Sequence, residues 1–506
     1  MMVSDANCEY LGLSRLCLME SAGKSLGDEV AKIAVFTFAK PVKVVMFTGS
    51  GGNGGDVFVA ARYLLNRGYD VDIYMLKENI HSCEAKTNYE ILKNMKPRLS
   101  RLKIHNLNSL EAINNCEIST ADDDFIIVDG ILGTGIKGNL QTNIKRAIEI
   151  INESSGIKIS VDVPSGMDPL TGNIDDIAVI PDYTISFHKI KTGVRNADEE
   201  LVGGLVTADI GIPLEAEYFV NYGDFLRFKQ RNVSSHKGNN GSILIIGGSV
   251  DYHGAPAISG MAALGAGVDL VYIATPEVAS IPIKSASPDL IVKPLEGEYL
   301  SLNHLDEILE LTDKVDAVLL GPGSAISDET SKLFNILVTK IKKPLVLDAD
   351  SLKQVDLSLI KNKENIILTP HLAEFKSFFK VDNLKLDLNS YDFTKVDENI
   401  TSFQRITGDI KGTVVIKGQN DLILSGNKFR INKTGNAGMT VGGTGDALAG
   451  IITALLSQGL NPFDSACLGV FINGLAGDKA FEKSGVGFSA SDLVSYIGNV
   501  IKDGLC

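Results

Sequence analysis

Tryptophan is absent from this 506-residue chain, and 13 Tyr and 20 Phe make aromatics scarce. Platforms on which unpaired bases would stack are therefore not expected. Basic charge is also short: 48 Lys and Arg against 62 Asp and Glu leave a net charge of −14. Nucleic-acid binders carry a basic footprint, so neither DNA nor RNA is the expected partner. An anionic dinucleotide stays possible, because backbone N–H groups and a few lysines can supply a local positive field. The six cysteines (Cys8, Cys17, Cys83, Cys116, Cys467 and Cys506) form no Cys-x-x-Cys pair, which predicts reduced thiols and a cytoplasmic chain. No run approaches the ~20 apolar residues of a membrane span. The start of the chain, with Asp5 and Glu9, has no basic stretch leading into an apolar one. Neither a membrane partner nor a signal peptide is expected.

Glycine, at 50 residues, is plentiful. It falls in short clusters rather than in a Gly-X-Y period, which points to tight turns and close backbone approaches. An apolar fraction of 44% is ordinary for globular proteins. At roughly 100–200 residues per domain the length predicts two to four domains.

Residues 18–38 space Leu18, Ala22, Leu26, Val30 and Ile33 as a helix does. A β-branched run at 42–49, a glycine-rich loop, a helical stretch at 57–68 and a strand-like run at 71–76 then read as a β-loop-α-β unit. Strand-like runs at 124–130, 157–166 and 182–189, with a helix at 140–152, extend this to a doubly wound α/β sheet. Residues 212–236 show no period and mark a junction. Beyond it a second α/β series starts at 241–249, continues at 260–275, 315–324, 343–351, 365–375 and 412–418, and closes on a helix at 447–459. Two domains are expected, 1–215 and 216–506.

Gly49, Gly51 and Gly54 satisfy G-x-G-x-x-G between a strand and a helix. Such a turn binds phosphate at a helix N-terminus, although a glycine-rich turn without a ligand fits as well. The acid ~20 residues on that serves a dinucleotide ribose is misplaced here. Asp70 and Asp72 fall before or inside the strand and Glu78 is late. Asn53, Asp129, Asp162 and Ser165 stand at three strand ends, where open sheets bind ligands. Their oxygens suit a hard cation, while each Asp alone could simply cap a helix.

The combination GSGGNGGD (49–56), VDGILGTGIKG (128–138), VDVPSGMDPLTG (161–172) and FHKIKTG (187–193) resembles the NAD(P)H-hydrate epimerases, over roughly residues 10–212. That resemblance implies a hydrated dinucleotide at Gly52, Asn53, Gly54, Gly55 and Asp56, at Gly133, Thr134, Gly135, Ile136, Lys137, Gly138 and Asn139, and at Asp162. It also implies a potassium ion at Asn53, Asp129 and Ser165. Epimerisation needs acid–base help, for which Asp162 is the candidate base and Lys191 its partner. A solvated surface lysine is the alternative for Lys191. The loop departs from the family pattern at Gly52 and Val57, where Asn and Gly are usual.

The densest motif runs from Gly435 to Asp446 and ends Gly442-Gly443-Thr444-Gly445-Asp446. Its glycines let N–H groups turn to an anion, and the apolar run from Ala447 adds a helix dipole there. Asp446 stands where it could take a proton from a hydroxyl attacking a phosphate; capping the helix is the alternative. The turn resembles the anion hole of ribokinase-like kinases. His236-Lys237-Gly238, Tyr252 to Ala257, Gly321-Pro322-Gly323, Asp348-Ala349-Asp350, Thr369 to Glu374 and Lys417-Gly418 narrow the resemblance to the ADP- or ATP-dependent NAD(P)H-hydrate dehydratases, over about 225–500.

By that resemblance, Ala257, Gly323, His371 and Asp446 meet the hydrate. The nucleotide meets Lys417, Gly418, Gln419, Asn420 and Asp421, then Asn436, Gly438, Thr440, Gly442, Gly443, Thr444 and Gly445. Ala373 replaces the family's usual Gly beside His371. ADP or ATP as phosphoryl donor, magnesium on the nucleotide, NADH and NADPH hydrates as substrates and a homo-oligomeric state are the implied cofactors and partners. A Rossmann-like N-terminal domain and a ribokinase-like C-terminal domain are the implied folds. The competing readings are a ribokinase-type small-molecule kinase fused to a dinucleotide-binding domain and, for the first half alone, a non-catalytic ligand sensor.

Overall fold

The computed structural model describes residues 2–38, 40, 42–116, 118, 124–133, 135, 140–382, 384 and 393–505. The chain divides into two compact units, Leu11–Pro213 and Leu214–Cys506, and the second unit also takes Met1–Tyr10.

The first unit is built on seven strands: β1 Lys43–Thr48, β2 Asp70–Met75, β3 Leu102–Asn106, β4 Phe125–Gly130, β5 Ile157–Val161, β6 Tyr183–Phe187 and β7 Gly204–Ala208. All pair in parallel, in the order β3-β2-β1-β4-β5-β6-β7. Val44, Val45, Met46 and Phe47 are fully buried, as a parallel sheet covered on both faces requires. The strand order reverses between β1 and β4, the crevice where open α/β sheets bind ligands. The glycine-rich loop leaves β1 at that crevice. Its helix spans Gly52–Asn66 and so begins five residues before the apolar stretch that the sequence marked. Glycine is a poor helix former, and the early start is therefore set by packing rather than propensity.

The second unit carries β8 Ser242–Ile246, β9 Leu270–Pro276, β10 Ile291–Leu295, β11 Ala317–Leu320, β12 Leu345–Leu347, β13 Ile366–Leu368, β14 Thr413–Ile416, β15 Asp421–Ser425 and β16 Lys428–Asn432. The order is β10-β9-β8-β11-β12-β13-β14-β15-β16, parallel up to β14 and antiparallel after it. The strand order of this sheet also reverses, between its third and fourth strands, β8 and β11. The helix Thr444–Ser457 is apolar all round and buried from Ala447 to Leu456. It packs between the helices Gly254–Gly265 and Pro462–Ser484.

The unpatterned stretch read as a junction contains a helix, Leu214–Tyr218, and a 3-10 turn, Tyr222–Arg227. Asp224 in that turn is buried and pairs with Arg430 at 2.8 Å. The N-terminal helix Met2–Tyr10 is tied to the same stretch, which is why these residues leave the first unit. Buried Asn7 donates to the Ala216 carbonyl at 3.0 Å and accepts from the Gly223 N–H at 2.8 Å. Tyr10 stacks on Tyr222 with ring centroids 4.5 Å apart. Among the described residues no helix is long and apolar enough to cross a membrane.

Asn7→Ala strands a buried donor and a buried acceptor, and should destabilise the second unit by about 1–3 kcal/mol. Denaturant unfolding followed by probes in each unit checks this. A shift confined to the second unit is expected; no shift there would mean that Asn7 contributes nothing to holding it.

Candidate functional site

In the first unit four chain segments meet at the β1/β4 crevice. Asn53 lies in the first turn of the helix Gly52–Asn66. Its amide donates to the carbonyls of Leu132 at 3.2 Å and Val161 at 2.7 Å, joining the loops after β4 and β5. Gly133 has to be glycine: a Cβ there would lie 2.5 Å from Asn53 Oδ1. A cavity of about 310 Å³ opens here, lined by Gly51, Gly52, Asn53, Leu132, Gly133 and Gly135 among others.

Asp129, the last side chain of β4, is buried and fully engaged. It accepts from the Ser160 hydroxyl and the Ser165 N–H, both at 2.9 Å, from the Ser165 hydroxyl at 2.5 Å, and from the Ile131 N–H at 3.3 Å. Burial pushes its carboxyl up and these four donors pull it back. Ser165 in turn accepts from the Leu132 N–H at 2.9 Å. Asp162 follows β5 in a left-handed conformation, φ 67°, which Asp tolerates better than most residues. It is buried and forms an ion pair with part-buried Lys191, which follows β6. Lys191 is therefore no surface lysine. Asp56 is buried nearby, and its carboxyl is pushed well above the usual range by burial and by the Asp162 charge, against the pull of Lys191. Gly54 and Gly55 are buried in the same helix and do not line the cavity. Thr134, Ile136, Lys137, Gly138 and Asn139 lie outside the described residues.

In the second unit the turn 442–446 is a wall between two cavities. One, of about 720 Å³, is lined by Tyr252, Ala255, Gly323, Asp350, Gly442, Gly443 and Asp446 among others. The other, of about 500 Å³, is lined by Lys417, Gly418, Gln419, Asp421, Asn436, Thr440, Thr444, Gly445 and Asn473 among others. Gly443 is the N-cap of the helix Thr444–Ser457 at φ 98°, and no side chain caps it. The first N–H groups of that helix therefore have no side-chain partner from the cap. Asp446 is the third residue of the helix and does not cap it. Burial and the Asp348 charge push its carboxyl up to about 7, with Lys417 opposing and Asp350 adding to the rise.

Lys417, at the end of β14, is held at 2.8 Å by Asp348, which also accepts from the Thr369 hydroxyl at 2.7 Å. Burial works against the Lys417 charge, but Asp348, Glu374 and Asp446 outweigh it and raise its pKa. Asp421 is pushed by burial to about 6, while Asn432, the Gly418 N–H and Lys417 pull it down. Asn436 donates to Asp478 at 2.9 Å and accepts from the Gly438 N–H at 2.9 Å.

Four sequence-derived residues stand elsewhere than in these walls. Ala257 is buried in the core of its helix, which turns Ala255 and Ile258 to the larger cavity instead. His371 is an exposed N-cap of the helix Leu372–Phe379, accepting from the Glu374 N–H at 3.1 Å. Gly438 is buried against Phe488, and Asn420 lies outside the cavity lining. The Asp348-Ala349-Asp350 motif assigns no role to Asp348 by itself. Its ties to β13 and β14 are invisible in a one-dimensional pattern. Asn473 sits mid-helix in an apolar stretch and gave no local signal.

Family models match both units: "NAD(P)H-hydrate dehydratase" over residues 243–499 and "YjeF-related protein N-terminus" over 15–193. The bifunctional NAD(P)H-hydrate repair enzyme of Methanothermobacter thermautotrophicus is 46% identical, covering 100% of this chain and 95% of its own. The enzyme of the same description from Methanocaldococcus jannaschii is 38% identical over 99% and 92%. A solved ADP/ATP-dependent NAD(P)H-hydrate dehydratase from Bacillus subtilis, co-crystallized with ATP and Mg2+, is 21% identical, covering 57% of this chain and 98% of its own, with a TM-score of 0.46. Matched along its whole length and in both units, the chain belongs to the bifunctional NAD(P)H-hydrate repair enzymes, which pair an epimerase with a dehydratase.

Proposed function

We propose that the first unit interconverts the R and S forms of hydrated NADH and NADPH at the crevice around Asn53, Asp56, Asp162 and Lys191. The second unit then dehydrates the S form between the two cavities, with ADP or ATP as phosphoryl donor. The observation that carries this reading is the position of Asp446 on the wall of one cavity while Thr444 and Gly445 of the same helical turn line the other.

Hydroxide leaves a hydrated nicotinamide ring poorly. Transfer of a phosphoryl group to the hydroxyl turns the leaving group into phosphate. The hydrate occupies the larger cavity and Asp446 takes its hydroxyl proton; a carboxyl near 7 is well matched to that task. The nucleotide occupies the smaller cavity. The open N–H groups of the helix Thr444–Ser457 and the Lys417 ammonium meet the phosphoryl charge. Asp348 fixes the direction of Lys417. Loss of phosphate with a ring proton restores the dihydronicotinamide. Magnesium accompanies the nucleotide phosphates and neutralises part of their charge.

A potassium ion fits the Asn53 corner by chemistry. The Leu132 and Val161 carbonyls, the Asn53 amide oxygen and the Ser165 hydroxyl are neutral oxygen donors suited to a weakly charged ion. Asp129 joins them only by exchanging one of its four present donors. The ion would add positive charge beside the bound dinucleotide. The same reading has the protein acting in the cytoplasm as a homo-oligomer.

Purified protein given both hydrate epimers with ATP or ADP should regain the near-UV absorbance of the reduced nicotinamide from both. Recovery with neither nucleotide contradicts the dehydratase assignment, recovery of the S form alone contradicts the epimerase, and a stable phosphate ester would mark a kinase. Asp446→Asn should slow dehydration by about 10²–10⁴-fold and leave epimerisation intact; loss of both would contradict separate sites. The pH dependence has a defined sign. Asp446 works as its carboxylate, so the dehydration rate should rise with pH through about 7. Asp348→Asn removes a raising charge and frees Lys417, so the limb should move to lower pH. A limb that stays in place assigns it to another group.

A further inference from the structure

Asp56 is the buried acid that the reading above leaves with binding alone. It lies three residues after Asn53 on the same helix, Gly52–Asn66, and so on the same face one turn on. That face is the one from which Asn53 reaches the Val161 carbonyl, next to Asp162. The acids on the elements packed around this helix have partners. Glu20 bonds Arg62 and Tyr63, Asp28 bonds Arg67 and Lys24, Glu84 bonds Ser82, Asp72 pairs with Lys43, and Asp129 holds four donors. Asp162 has Lys191 and the Phe187 N–H. Asp56 is 8% exposed and lies within the charge field of Asp162 and Lys191. Asp162 already holds its lysine, and Asp56 stands in the same dry site beside that ion pair.

We infer that Asp56 is the proton donor of the epimerase and works as an acid–base pair with Asp162; this rests on the epimerase reading of the first unit. The hydroxyl-bearing carbon of the hydrated ring is bonded to the ring nitrogen. Asp56 gives its proton to the hydroxyl, the C–O bond breaks with its electron pair on oxygen, and water departs. The nitrogen lone pair closes a C=N⁺ bond. Water then adds to the other face, the C=N electrons return to nitrogen, and the Asp162 carboxylate takes the released proton. The pair ends with one proton, as it began, and exchange with solvent resets it. Burial and the Asp162 charge raise the Asp56 carboxyl, the direction a proton donor requires.

The test follows inversion of the two hydrates by the full chain without nucleotide. Asp56→Asn should lower kcat by about 10²–10⁴-fold with KM little changed, and Asp56→Glu should recover part of the loss. Wild-type kcat should fall as rising pH ionises Asp56, whose carboxyl is raised. In ¹⁸O-water the label should enter the ring hydroxyl in step with inversion. An Asp56→Asn chain that keeps its kcat, or loses only KM, overturns the assignment, as does inversion without label. If the asparagine variant does not fold, the glutamate variant and the wild-type pH and label measurements decide. A wild-type chain that inverts neither hydrate would sink the epimerase reading instead.

Discussion

A carboxylate taken out of water must be hydrogen-bonded, paired with a cation or protonated, because a lone buried charge is far too costly. Both units are organised around that constraint at the C-terminal ends of parallel strands. Asp129 meets it with four hydrogen bonds, Asp162 with Lys191, and Asp348 with Lys417 and Thr369. Asp56 and Asp446 meet it by holding a proton more tightly, since the nearest cations are already committed to their neighbours. In each unit a satisfied acid and its lysine sit beside an acid with a raised pKa, which is the separation that acid–base chemistry needs.

The folds deliver this arrangement through their switch points. Where strand order reverses, neighbouring connections leave on opposite faces of the sheet and open a crevice. In the first unit Asn53 bridges the loops that border the crevice. In the second, the turn at 442–446 comes from a buried helix far along the chain. The apolar run Ala447–Leu456 fixes the axis of that helix, so its N-terminus stands between the two cavities. The core thus aims this N-terminus, and Gly443 at φ 98° allows the backbone to turn onto it.

Much of this was legible in the sequence because it is local. β-branched runs ending in Gly or Asp located β1, β4, β5, β8 and β11, and the glycine density before Ala447 located the helix N-terminus. What was not legible depends on contacts far apart in the chain. Residues 2–10 join the second unit through Asn7, whose partners lie more than 200 residues away. Asp348 works through Lys417, 69 positions on. The periodicity of a single helix cannot tell which of Ala255 and Ala257 faces a cavity when both are small and apolar. His371 carries a motif, yet its ring is occupied by capping its own helix.

The central claim is that burial, and not a hydrogen bond, sets the proton affinity of the acid in the 442–446 turn. It is tested most directly by titrating the Asp446 side-chain ¹³C carboxyl resonance in the intact chain, assigned by its loss in Asp446→Asn. The account predicts a midpoint near 7. A midpoint near 4, the ordinary carboxylate range, would contradict it.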